Sequence, residues 1–219
     1  MSDAAELEGT RPLLRGVFHQ AGFFASLVTG ALLVAAASDG VGRVAAAVFA
    51  VSVAVMFAAS ALYHRVRWSP SARALMRRVD HAGIYLLIAG SYTPYGLLVL
   101  DGAWRITILG LVWTGVAVAI AIRFAFPHAP GWLTASLALS LGWISVVALP
   151  KAFAALGPVG FGLLLAGGLL YSAGGVVYVL RRPNPFPSVF GFHELFHVLV
   201  LAAVACQYAS VAFFALPAA

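Results

Sequence analysis

Charge is scarce in this chain: 9% of its 219 residues are charged while 63% are hydrophobic, and its mean hydropathy is +0.99. That leaves too little polar surface to cover a soluble globule of this size, which excludes a water-soluble enzyme and places the chain in lipid. Cysteine is nearly missing as well. Cys206 is the only one and lies in an apolar stretch, so an intrachain disulfide is impossible and a thiolate-based metal site is not expected. Any metal here needs histidine and carboxylate. The first 18 residues contain no apolar run and carry Asp3, Glu6, Glu8, Arg11 and Arg15, so no cleavable signal peptide is expected ahead of the first hydrophobic segment. After His197 there is no Asp, Glu or His.

What is present is a series of long apolar runs. A membrane helix needs about 20 mostly apolar residues to cross roughly 30 Å of hydrocarbon. Seven stretches qualify: 20–37, 41–63, 82–100, 104–124, 132–149, 159–180 and 193–216. The breaks between them hold turn residues or charge, as in Ser38-Asp39-Gly40, Asp101-Gly102, Pro150-Lys151 and Arg181-Arg182-Pro183. The expected fold is therefore all-α, an integral membrane bundle of seven transmembrane helices over residues 20–216, preceded by a polar tail at 1–19. Within the basic loop after the second span, Ser69-Pro70 reads as a helix cap and first turn. Residues 72–79 then form either a short interfacial helix or an extension of the third span. The many glycines of the sixth span read as small residues that let helices pack closely.

Lys and Arg set the orientation, because cytoplasmic loops are enriched in them. Ten fall on one side: Arg11, Arg15, Arg65, Arg67, Arg73, Arg77, Arg78, Arg123, Arg181 and Arg182. Three fall on the other, Arg43, Arg105 and Lys151. The N-terminus is thus expected in the cytoplasm and the C-terminus outside. The net charge of +6 follows from this bias and from anionic inner-leaflet lipid, so no nucleic acid partner is expected. Twelve of the thirteen basic residues are Arg, a bias that points to a GC-rich bacterial genome and hence to a bacterial cytoplasmic (inner) membrane.

Ionisable groups at the ends of membrane helices are costly and need a reason. With this topology the second span ends at His64, the third begins just after Asp80-His81 and the seventh enters at His193. All three loci meet at the inner leaflet. His193 and His197 lie one turn apart on one helix face, a spacing that suits two imidazoles on one ion. His64 completes a set of three, Ser60 lies one turn deeper beside it, and Asp80 is placed to orient an imidazole or hold water. The alternative is a hydrogen-bonded polar cluster without metal. Three imidazoles suit zinc, although copper, nickel and iron also accept them. His19 and His128 read as interfacial polar residues. His81 reads as a neighbour of the site or a fourth contact.

The stretch His193-Glu194-Leu195-Phe196-His197 also matches the H-E-x-x-H signature of zinc proteases. A protease needs a third ligand downstream of that motif, and none exists here. Glu194 faces away from the histidines and is expected to be incidental to the metal.

Ser60-Ala61-Leu62-Tyr63-His64, then Asp80-His81 leading to Ile88-Ala89-Gly90-Ser91-Tyr92-Thr93-Pro94, then the His193–His197 block resemble the three signature blocks of the hemolysin III proteins. These are the bacterial branch of the progestin and adipoQ receptor family, related to adiponectin receptors and alkaline ceramidases. The resemblance implies a zinc ion on His64, His193 and His197 at the cytoplasmic face, with Ser60 and Asp80 beside it. It also implies hydrolysis of ceramide-like lipid amides, as associated with the eukaryotic relatives. The chain lacks the long N-terminal domain of adiponectin receptors, so hormone binding is not carried over. Two functions follow as expectations: a zinc-dependent lipid amide hydrolase with Asp80 as proton shuttle, or a non-catalytic protein whose zinc staples two spans in signalling, lipid homeostasis or cytolysis. A membrane lipid is the expected substrate or ligand in either case.

Overall fold

The computed structural model describes residues 12–38 and 40–218. The acidic part of the N-terminal tail and Asp39 of the first turn lie outside them. Every long apolar run is helical. The elements are α1 (Val17–Ala36), α2 (Gly40–Arg65), α3 (Pro70–Leu98), α4 (Gly102–Ala125), α5 (Gly131–Gly142), α6 (Leu149–Leu180) and α7 (Phe192–Ser210). A 3₁₀ segment, Ile144–Ala148, joins α5 to α6, and a π turn, Val211–Ala215, continues α7. Among the described residues, five helical stretches are long and apolar enough to cross a bilayer, one of them the joined α5–α6 run of 50 residues.

Each helix packs on its neighbour in sequence, and α7 returns against α1 as well as α6. The core between α1, α2, α3 and α7 holds Leu33, Phe49, Met56, Phe57, Leu87 and Val200. A second cluster, with Tyr85, Val112, Val116 and Leu141, joins α3, α4 and α5. The outward faces are apolar too, with Phe24, Leu27 and Val28 on α1 and Val44, Val51 and Val55 on α2 all exposed. In water such faces would aggregate, whereas in hydrocarbon they match the solvent.

Local chemistry explains the element ends. Ser69 Oγ accepts from Ala72 N at 3.4 Å and Pro70 occupies the first turn, where its missing N–H leaves no partner wanting. Residues 72–79 are thus an extension of the third helix and not a separate interfacial one. At the end of α5, the Tyr92 hydroxyl donates to the Gly142 carbonyl at 2.6 Å and accepts from Ser145 N at 3.1 Å, satisfying groups a helix end leaves open.

One break differs from expectation. Pro150-Lys151 starts α6 and does not interrupt it, because proline is tolerated in a first turn. The kink comes at Gly157, whose φ of 64° and ψ of 178° suit a residue without a Cβ, just before Pro158. Beyond the kink, Gly160, Gly167 and Gly174 are spaced by seven on one face of α6. A Cβ on them would meet Phe214, Gln207 and Phe196, so this stripe is where α7 packs closest.

Candidate metal centre

Two helix ends deliver three imidazoles. The last turn of α2 carries His64, and the first two turns of α7 carry His193 and His197 on one face. Their ligand nitrogens all lie within 4.8 Å of one another, and the Nε2 atoms of His64 and His193 are 3.2 Å apart. His197 is 1% exposed and its Nδ1 has no hydrogen-bond partner. Three imidazoles whose ring nitrogens converge on one space can hold a metal ion. Asp80 of α3 is buried beside them, its Oδ2 3.9 Å from His64 Nε2. Ser60, one turn before His64, is also buried. The structure thus brings together all five residues singled out in the sequence: Ser60, His64, Asp80, His193 and His197.

His19 requires a correction. It is no interfacial side chain but sits inside the cluster at 2% exposure. Its ring stacks on His197 with centroids 3.7 Å apart and planes 8° from parallel, and its Nδ1 is 2.8 Å from Ser60 Oγ. α1 begins at Val17, so His19 lies within its first turn. Its position at the entry of the first span was the available signal, since it puts His19 at the same depth as the other histidines. Gly16 permits that approach. It has φ +78°, and a Cβ there would come within 2.7 Å of the His64 Cβ. His128 is exposed, as expected of an interfacial residue, and His81 lies next to Asp80 on α3 with its Nδ1 unpartnered.

Glu194 is occupied elsewhere. It is fully buried, pairs with Arg15 at 2.5 Å and accepts from Gly191 N at 2.8 Å at the head of α7. The carboxylate therefore caps the helix and anchors the segment before α1, turned away from the histidines. Backbone bonds from Leu13 and Leu14 to the carbonyls of Ser188 and Val189 extend that anchor.

A cavity of about 880 Å³ opens from the cluster into the bundle. It touches His64, Asp80 and His193 at one end and passes Ile88 and Ala138 to reach Leu100 and Ala152 at the other. Its size is that of a small-molecule site, with the charged and histidine side chains at one end and a largely apolar lining beyond, interrupted by Ser91, Tyr95, Tyr171 and Gln207.

The family model described as "Haemolysin-III related" matches residues 8–208. The chain is 34% identical over 176 residues to "Hemolysin-3" of Bacillus cereus, covering 80% of this chain and 77% of that one. It is 32% identical to the "Hemolysin-3 homolog" of Bacillus subtilis (strain 168), covering 76% and 75%. The "Adiponectin receptor protein" of Drosophila melanogaster is 29% identical over 61% of this chain and 34% of its own length.

Proposed function

Because the chain belongs to the haemolysin-III related family, we propose that it is a seven-span, zinc-dependent hydrolase of lipid amides in a bacterial inner membrane, with its N-terminus in the cytoplasm. The observation that carries this reading is the meeting of His64, His193 and His197 at the polar end of a lipid-sized cavity. The His64–His193 pair has the spacing of two zinc ligands. Two nitrogens on a tetrahedral zinc with bonds of 2.0–2.1 Å lie about 3.3 Å apart, and the Nε2 atoms of His64 and His193 are 3.2 Å apart.

Three protein ligands leave a position open, as catalytic zinc sites do and closed structural sites do not. When bound, zinc supplies positive charge that polarises a carbonyl and acidifies water. The chain's own groups do the rest. Asp80 is positioned to take a proton from water and pass it to the leaving amine, and Ser60 to hold water or the substrate carbonyl by its hydroxyl. The apolar stretch of the cavity receives the acyl chain, reached from the inner leaflet. The seventh span is α7, and residues 20–216 form the single functional unit.

A zinc staple without catalysis is the competing reading, and Asp80→Ala separates the two. In the hydrolase that variant keeps about one zinc per chain, as wild type does, and loses at least ~100-fold in turnover of a fluorescent ceramide. Unchanged turnover would sink the enzymatic role of Asp80. Joint loss of zinc and stability would assign Asp80 as a fourth ligand of a closed site.

A further inference from the structure

Away from the histidines, polar side chains from three helices gather along one stretch of the cavity. Ser91 and Tyr95 of α3, Tyr171 of α6 and Gln207 of α7 all line it. Ser91 Oγ, the two tyrosine hydroxyls and Gln207 Oε1 are buried and make no well-formed hydrogen bond among the described residues. Tyr171 has Ser91 in reach, and Tyr95 has Ser210. Ser210 already gives its proton to the Gly160 carbonyl, at 2.9 Å. If Tyr171 and Ser91 share one proton, the other proton of that pair still lacks an acceptor, and Gln207 Oε1 still lacks a donor. Nearby hydroxyls behave differently. Thr93 and Ser172 each donate to the backbone carbonyl one turn earlier, at 2.8 Å, which is how a hydroxyl on a membrane helix satisfies itself.

These groups share a depth. At about 1.5 Å of rise per residue, Ser91 is roughly 16 Å beyond Asp80 along α3, and Gln207 roughly 15 Å beyond His197 along α7. Gln207 packs on Gly167 of α6, with Tyr171 one turn away on the same face. No Asp, Glu, Lys, Arg or His follows His81 in α3, His197 in α7 or Lys151 in α6, so a charged ligand group would meet no counter-charge from these helices at this depth. A neutral hydroxyl suits the set, because it can donate to Gln207 Oε1 and accept from the Tyr171 and Ser91 pair. The surrounding lining, with Leu87, Leu164 and Val200, is apolar, which matches a hydroxyl carried on a hydrocarbon chain.

We infer that Ser91, Tyr95, Tyr171 and Gln207 form a second, neutral polar subsite that takes a hydroxyl on the acyl chain of the bound lipid. Roughly 15 Å of helix rise is spanned by about a dozen carbons of an extended chain, which sets how far that hydroxyl stands from a head group held at the histidines. The inference names the acyl chain of the substrate, and it rests on the proposed function for the direction in which the lipid lies.

The test is a competition between ricinoleic acid and oleic acid, which differ only in a hydroxyl at the twelfth carbon, for the full-length protein in neutral detergent. Native mass spectrometry reads both ligands in one sample, and α-hydroxyoleic acid is the control whose hydroxyl stays beside the head group. Ricinoleic acid is expected to bind at least ~5-fold tighter than either of the others, the worth of one well-made hydrogen bond. Gln207→Leu and Tyr171→Phe each abolish the preference. Ser172→Ala keeps it, because that hydroxyl lines the same cavity but is spent on the Gly168 carbonyl. Should Gln207→Leu not fold, Tyr171→Phe with a wild-type melting temperature carries the result alone. Asp80→Ala retains the preference, so failure of the hydrolase reading, seen in turnover, is told apart from failure of this one. Equal binding of ricinoleic and oleic acid, or binding of neither, would overturn the subsite and leave its polar groups to ordered water. A preference that survives in both Gln207→Leu and Tyr171→Phe would overturn it too. An equal gain from α-hydroxyoleic acid would place the recognition at the histidine end and likewise overturn the inference.

Discussion

His19 and Glu194 show how residues outside the ligand set shape the centre. His19 lies flat on His197 and its Nδ1 is in hydrogen-bond range of Ser60 Oγ, so it fixes the plane of one ligand and the position of a neighbouring hydroxyl. Groups that orient metal ligands are typically worth 10–100-fold in metal affinity. His19→Ala is therefore expected to lower zinc affinity roughly tenfold in a chelator competition, with one zinc still bound at saturation. Unchanged affinity would show that the stack is packing only. Glu194 tests the protease-like motif. Glu194→Ala removes the fully buried carboxylate that pairs with Arg15 and accepts from Gly191 N at the head of α7, and is expected to lower the melting temperature, while zinc stoichiometry stays at the wild-type value. Loss of zinc at full stability would instead return the glutamate to the metal site.

At the scale of the element, α6 depends on one residue for its path. Gly157 has φ +64° and nothing within 4 Å of where a Cβ would stand, so Gly157→Ala tests backbone strain without a clash. It is expected to destabilise by about 1–2 kcal/mol. Gly162 also faces open space but has ordinary helical backbone, and Gly162→Ala is expected to be neutral or stabilising by up to about 1 kcal/mol. Thermal unfolding in detergent reads both. Equal effects at the two positions would mean that the kink is not held by the glycine. The run from Ile144 to Leu156 carried no sequence signal for its true shape. A 3₁₀ turn followed by a helix starting at a proline differs little in composition from a plain break, and Pro150 is equally at home in either.

Over the whole molecule, the three-histidine cluster joins elements far apart in the chain. Residues 64 and 193 meet where the end of α2 touches the start of α7, so a bound ion ties the second helix to the last. A ligand that binds only the folded state stabilises it by about 2.7 kcal/mol at 100 times its dissociation constant. Stripping zinc with a chelator is therefore expected to lower the melting temperature of wild type and to leave that of His64→Ala unmoved. If both fall equally, the chelator acts elsewhere. The proposed orientation makes a separate prediction. In a Cys206→Ser background, Ser71→Cys is expected to escape a membrane-impermeant maleimide in intact cells, and Ala103→Cys to react with it. The reverse pattern would invert the topology.

The amino-acid sequence by itself determined that this is a helical membrane protein with long apolar runs, and that His64, Asp80 and the His193–His197 pair lie at the ends of such runs. Those properties follow from hydropathy, charge placement and helical spacing, all of which are local. Which side chains touch was decided by the tertiary structure alone. His19 joined the site because α1 packs between α2 and α7, and Glu194, already turned from the histidines by helical spacing, found Arg15 from the segment before α1. Arg123 ended in the cavity beside Arg77 because α4 packs on α3. Each of these depends on contacts between distant segments, and a lone histidine or arginine in sequence carries no record of what will be packed against it.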